Sequence, residues 1–250
     1  MLTFIESIYY SRLMPHRLRR ILGTFYFLNF ELGRSYYRSN LIPGNLRWSL
    51  KTQKALAFDY GYLSSIKAMV SIDAENQPLP WYTYPAIDFL RARDYGDRTI
   101  LEFGGGQSTF WWAERSRHVL TFEADEEWYA ALRPRIPSNV DLVLVTAASR
   151  AAQVQEVRTQ IGSSRFDVIV IDGLYREDMC AVAQSAVSVD GCIVADDSEG
   201  FEIFERMRAS RLSRVDFYGY QPGVSLPHCT SVFFNERSFI VSGAVPIVHL

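Results

Sequence analysis

Three short, nearly uninterrupted apolar runs constrain this chain more than any other feature: Ile100-Leu-Glu-Phe103, Val168-Ile-Val-Ile171 and Cys192-Ile-Val-Ala195. A strand that is apolar on both faces must be covered on both faces, as in a parallel sheet between layers of helices. Strand-like runs recur at 99–103, 118–123, 141–145, 167–172, 191–196, 214–220 and 230–235. Helical segments fall between or after them at 107–115, 126–133, 149–160, 176–188 and 200–209. This alternation predicts an α/β fold with a doubly wound, seven-stranded, mostly parallel sheet. Residues 221–228 join the last two runs without a helix, so these two are expected to pair antiparallel at one edge, the last strand being antiparallel. The first 80 residues read as a helical extension or cap, with helices over residues 1–45 and Lys51–Val70, and residues 81–250 as the main domain, which begins with a helix over Ala86–Arg93.

Bulk properties narrow the class further. A net charge of −2 over 250 residues gives no broad basic field, and on that ground nucleic acid is not expected as a partner. Only three of the 26 basic side chains are lysine, an arginine bias suited to phosphate or carboxylate recognition and equally to a GC-rich coding sequence. Cys180, Cys192 and Cys229 lack metal-ligand spacing, and an odd count argues against a disulfide framework. A cytoplasmic location is the expectation. The first 45 residues mix aromatics and arginines (Phe4, Tyr9, Arg19, Phe25, Tyr36), which suits a helical cap, a peripheral membrane contact or a homo-oligomer contact.

The glycine turn carries the chemistry. Glu102 closes the first core strand, Gly104-Gly-Gly106 follows, and a second strand closes at Glu123, 21 positions after Glu102. An acidic residue at that distance suits a ribose diol. A nicotinamide fingerprint would place a third glycine where Thr109 stands. A carboxylate two positions before the turn is ill placed beside a pyrophosphate and well placed for a ligand with an amino group.

These motifs resemble those of the class I S-adenosylmethionine-dependent methyltransferases, of a poorly characterised bacterial branch. The match runs through Glu102-Phe-Gly-Gly-Gly106, Glu123, Phe166-Asp-Val-Ile-Val-Ile-Asp172-Gly173 and Asp190-Gly-Cys-Ile-Val-Ala-Asp196-Asp197, and covers about residues 81–240. The resemblance implies methyl transfer from S-adenosylmethionine to a small-molecule or glycan acceptor, most simply at oxygen. It implies that Glu102, Gly104, Gly105, Gly106, Glu123, Ala124, Thr146 and Asp172 border the cofactor. Two alternatives stay open: aminopropyl transfer on the same fold, and a non-catalytic cofactor-binding module at a membrane or partner surface.

A hydroxyl acceptor must lose its proton to a base or a metal. Asp172, Asp196 and Asp197 fall at the carboxyl ends of adjacent strands, where open α/β sheets bind ligands. Their order is similar to the Asp…Asp-Asn set that holds Mg²⁺ in catechol-type O-methyltransferases, which makes Asp172, Asp196 and Asp197 candidate metal ligands. The pattern departs at Asp197, where that set has Asn, and at Tyr175, where it has a lysine. The competing reading makes Asp172 or Asp196 the base and Arg176 its counter-charge. His228 is a further candidate base. Tyr82 and Tyr84, with Arg176, are the expected acceptor-binding residues.

Overall fold

The computed structural model describes residues 44–241, which fall into two compact units dividing between Ala57 and Phe58. The expectations for residues 1–43, including the membrane or oligomer contact, lie outside the described residues. The first unit contains helix α1, Gly44–Lys54, and a π-helical turn, Ala55–Asp59, runs across the division into the second unit. The helix expected over 51–70 is interrupted. Gly61 has φ +77°, and a Cβ there would stand 2.3 Å from the carbonyl carbon of Asp73, so only glycine admits this turn. Helix α2, Tyr62–Ala68, then begins and belongs to the second unit.

The second unit carries α3 (Tyr84–Arg91), β1 (Thr99–Phe103), α4 (Gln107–Arg115), β2 (His118–Glu123), α5 (Glu126–Leu132) and β3 (Val140–Leu144). It continues with α6 (Arg150–Ile161), β4 (Phe166–Ile171), α7 (Arg176–Ala186), β5 (Val187–Ala195), α8 (Ile203–Met207), β6 (Ser213–Gly219) and β7 (His228–Phe234). The seven strands form one sheet in the order β3-β2-β1-β4-β5-β7-β6. β1 to β5 are parallel, and β7 runs antiparallel to both β5 and β6. The predicted doubly wound sheet and its antiparallel last strand are therefore observed. α8 is shorter than the helix expected over 200–209, because Phe201 and Glu202 have φ of +55° and +52° and hold the chain out of helix until Ile203.

The apolar runs explain this layering. Leu101, Phe103, Ile169, Ile171, Ile193 and Ala195 are buried and share one core with Met179, Val182 and Ala183 of α7 and with Ile203 and Met207 of α8. Burying side chains of this size contributes roughly 1.5–3 kcal/mol each. Register then sets the site. Phe103 pairs with Phe122 and Ile171, and Ile171 with Ala195, so the carboxyl ends of β1, β2, β4 and β5 lie along one edge. Because β7 is antiparallel, with Ser231 opposite Ala195, its first residues, His228 to Thr230, arrive at that same edge.

Candidate functional site

The expected cofactor side lies where β1 and β2 end. Glu102 is wholly buried. Its Oε2 accepts hydrogen bonds from Thr109 Oγ1 at 2.5 Å and Thr121 Oγ1 at 2.9 Å, while Oε1 is buried without a partner. Burial pushes its carboxyl up to about 7, and the nearby Asp172 adds to this against the lowering effect of the hydroxyls. Thr109, noticed in the sequence only as a missing glycine, holds the loop. Its hydroxyl accepts from Gly106 N at 3.0 Å while donating to Glu102.

The three glycines have separate tasks. Gly104 has φ +96°, and a Cβ there would fall 1.9 Å from the carbonyl oxygen of Asp172, so it lets the β1 loop close against the β4 loop. At Gly105 a Cβ would press on Thr121 and Leu132 at 3.1 and 3.2 Å. At Gly106 it would meet only Ser108 Oγ, at 3.9 Å. The open face of the turn is therefore at Gly106, and a ligand can approach the backbone there.

Glu123 is buried at the end of β2. Its Oε1 accepts from the amides of Ala124 and Asp125 at 2.7 and 2.8 Å, and its Oε2 from Gly105 N at 3.0 Å. An ionised carboxylate offers about four acceptor positions, so Oε2 keeps room for a hydroxyl donor. Ala124 is half-buried beside it, and Thr146 is exposed, its amide bound to Glu156 Oε2 at 3.2 Å. One residue of this side escaped the sequence analysis. Trp128, in the first turn of α5, donates its indole N–H to Gly105 O at 2.7 Å and leaves 42% of its surface exposed over the glycine turn. The signal was an aromatic three residues after Asp125, whose side chain caps α5 by accepting from Trp128 N.

The acceptor side forms where β4, β5 and β7 meet. Asp172 is paired with Arg176 Nη2 at 2.6 Å, and Arg176 Nη1 reaches Asp197 Oδ2 at 3.0 Å. Asp172 does not cap α7; Tyr175, with φ +37°, holds that position. The Tyr175 hydroxyl donates to Gln153 on α6, so Tyr175 does not serve as the base that a lysine would be there. Asp196 is 2% exposed and receives only neutral donors: Thr230 Oγ1 at 2.8 Å and Gln221 Nε2 at 3.2 Å from each carboxylate oxygen. Burial, reinforced by the charges of Asp172 and Asp197, raises its carboxyl well above the ordinary range. Burial also raises that of Asp172, and Arg176 opposes the rise.

Tyr82 is wholly buried, with its hydroxyl accepting from Trp112 Nε1 at 3.2 Å. Burial first, then the charges of Glu102, Asp172 and Asp196, push that phenol well above its ordinary value, so Tyr82 feels the carboxylates of both sides. Tyr84 is buried against Tyr60, ring centroids 4.9 Å apart, and its hydroxyl has no partner. Thr83 between them donates its amide to Thr230 Oγ1 at 2.9 Å, which ties this segment to Asp196 through one hydroxyl. His228 Nδ1 lies 3.1 Å from both Asp197 Oδ1 and Glu199 Oε1.

The Mg²⁺ set expected at Asp172, Asp196 and Asp197 does not fit these residues as arranged. The guanidinium of Arg176 stands between Asp172 and Asp197, where the ion would have to be. Among the described residues, the ligand atoms that do converge belong to Asp197, Glu199 and His228.

No protein-family model and no curated protein matches the chain. Solved structures do. A methyltransferase from Pyrococcus furiosus is 18% identical over 76% of this chain and 99% of its own, with a TM-score of 0.47. Spermidine synthase from Thermotoga maritima is 17% identical over 60% of this chain and 66% of its own, with a TM-score of 0.43. A tRNA methyltransferase from Aquifex aeolicus is 16% identical over 62% of this chain and 70% of its own, with a TM-score of 0.41. The last of these overturns one expectation: a nucleic-acid enzyme is among the structural neighbours, so a net charge of −2 does not exclude nucleic acid. Among the described residues no helix is long and apolar enough to cross a membrane. With its strand order β3-β2-β1-β4-β5-β7-β6 and its antiparallel β7, the chain has the Rossmann-like fold of the class I S-adenosylmethionine-dependent methyltransferases, the family its sequence resembles.

Proposed function

We propose that this protein transfers a methyl group from S-adenosylmethionine to an acceptor hydroxyl, with Asp196 as the base. The observation that carries the reading is a pairing of two groups along one sheet edge. Glu102 and Glu123 frame a glycine turn that is open at Gly106, and a buried carboxylate with no cation bonded to it, Asp196, stands at the end of a nearby strand. Glu123 Oε2 holds a ribose hydroxyl, and Glu102, with its unpartnered Oε1, faces the positive charge of the donor's amino acid end. S-adenosylmethionine supplies an activated methyl group, so that the acceptor oxygen forms its bond to carbon as the carbon–sulfur bond breaks and leaves a neutral thioether.

The protein's share is positioning and one proton. Asp196 takes the proton of the acceptor hydroxyl. Thr230 and Gln221 fix its orientation, and the lack of a bonded cation keeps it basic enough to do so. Aminopropyl transfer is less well served, because the β4 carboxylate it would use, Asp172, is already paired with Arg176. Titration calorimetry with S-adenosylmethionine and its demethylated product tests the donor half. Micromolar binding that Glu123→Gln weakens supports the reading, and an absence of binding to either compound ends it. The non-catalytic alternative predicts that Asp196→Asn changes no phenotype that depends on the bound cofactor.

A further inference from the structure

The acceptor edge gathers Asp172, Asp196 and Asp197 around one cationic side chain. Arg176 sits in the first turn of α7, directly after Tyr175, whose left-handed backbone turns the chain into the helix. Its fork reaches Asp172 Oδ1 at 2.6 Å with one nitrogen and Asp197 Oδ2 at 3.0 Å with the other. The ring of Phe201 lies 4.7 Å from the guanidinium carbon and covers it. The third nitrogen, Nε, is buried and has no hydrogen-bond partner. A buried N–H left unpaired costs about 1–3 kcal/mol, so this donor is best explained by a ligand atom.

We propose that the Arg176 guanidinium is this protein's built-in replacement for the divalent cation of metal-dependent relatives, and that its free Nε–H binds the acceptor oxygen as that oxygen loses its proton to Asp196. Two features suit the fork for this task. A planar guanidinium bonds two carboxylates at once and stays charged at every working pH. It also keeps Asp172 and Asp197 from repelling each other, as an ion between them would. The assignment rests on the acceptor-side reading above, in which Asp196 is the base.

Manganese binding tests it without turnover. With Mn²⁺ followed by electron paramagnetic resonance, Arg176→Met should gain one bound ion at least ~10-fold tighter than any in the wild type, since three carboxylates would then face an opened space. Adding Asp172→Asn to Arg176→Met should remove that gain. Asp197 also belongs to the group it forms with Glu199 and His228, so an ion there can tighten whenever Arg176 is removed, and only the part of the gain that Asp172→Asn abolishes counts. Arg176→Gln serves equally if Arg176→Met does not fold. Two results would overturn the proposal: a folded Arg176 variant that binds Mn²⁺ no better than the wild type, or a wild-type protein that binds an ion lost in Asp172→Asn. A second reading comes from turnover, where millimolar methylguanidine should restore the activity of Arg176→Ala while Mg²⁺ alone leaves the wild-type rate unchanged. Because Mn²⁺ binding requires neither donor nor acceptor, failure of the methyl-transfer reading would leave the binding result standing.

Discussion

Glu102 is a carboxyl group in a place where ionisation is costly, and the cost is measurable. One of its oxygens takes two threonine hydroxyls, the other takes nothing, and water does not reach either. Burial raises its pKa from the ordinary 4.5 to about 7. The native state thus holds the proton to a higher pH than the unfolded chain does. Its contribution to stability is complete below about pH 4.5 and is lost as pH rises to about 7, a change of about 3 kcal/mol at 1.36 kcal/mol per unit. Glu102→Gln, neutral at every pH, should remove this slope, so the variant is expected to gain stability over the wild type between pH 5 and 8. Urea midpoints across that range check it, and parallel curves for the two proteins would refute it. Asp196 differs in kind, since in the proposed reaction its raised pKa serves a base. Asp196→Asn should lower kcat by roughly 10²–10⁴ while donor affinity stays within about threefold, as turnover assays and calorimetry on one preparation can show.

The elements position these residues through their ends. The β1 to α4 turn is the clearest case, because of its three glycines the fold requires Gly104 and the proposed ligand requires Gly106. Gly104→Ala forces a methyl group into the carbonyl oxygen of Asp172 at a left-handed φ, and is expected to cost about 3 kcal/mol or more or to prevent folding. Gly106→Ala meets open space and should melt within a few degrees of the wild type, yet weaken binding of the demethylated product by about tenfold or more. Thermal melts and calorimetry on the pair decide the matter, and equal effects of the two substitutions on binding per folded molecule would count against an open face at Gly106. Most of this element was legible in the sequence, since an apolar strand, an acidic residue and a glycine run occupy consecutive positions. Trp128 was not, because its role depends on the direction that α5 takes after its cap. Arg176 was expected as a counter-charge to Asp172 or Asp196, and it does pair with Asp172, but the sequence cannot show that Phe201 covers it or that Asp197 shares it.

At the scale of the whole molecule, the proposed reaction divides between the halves of the sheet. In that reading β1, β2 and β3 and their loops hold the donor, and β4, β5 and β7 hold the base and its partners. The antiparallel β7 is what completes the second half, since only a strand running backwards brings both His228 and Thr230 to the carboxyl edge of a parallel sheet. This arrangement was foreseen as topology from the helix-free connection 221–228. Its consequence for the site was not, because Gln221 and Thr230 carry no motif and become functional only where β7 lies beside β5. Tyr82 feels the charges of carboxylates in both halves, which bears on how independent the halves are. Its hydroxyl accepts a hydrogen bond from Trp112 and makes none with a carboxylate, so the link between the halves is through space and is weaker than the contacts within each. Additivity is therefore expected. Glu123→Gln should weaken donor binding and leave the acidic limb of kcat/KM in place. Gln221→Leu should move that limb to higher pH, because ionised Asp196 loses a donor, and leave donor binding in place. The double variant should show both changes, each of the same size as in the single variants. A pH profile of kcat/KM and a calorimetric titration on the three proteins provide the measurement. A limb that moves in Glu123→Gln would mean that the donor side sets the basicity of Asp196, and the two halves would then form one electrostatic unit.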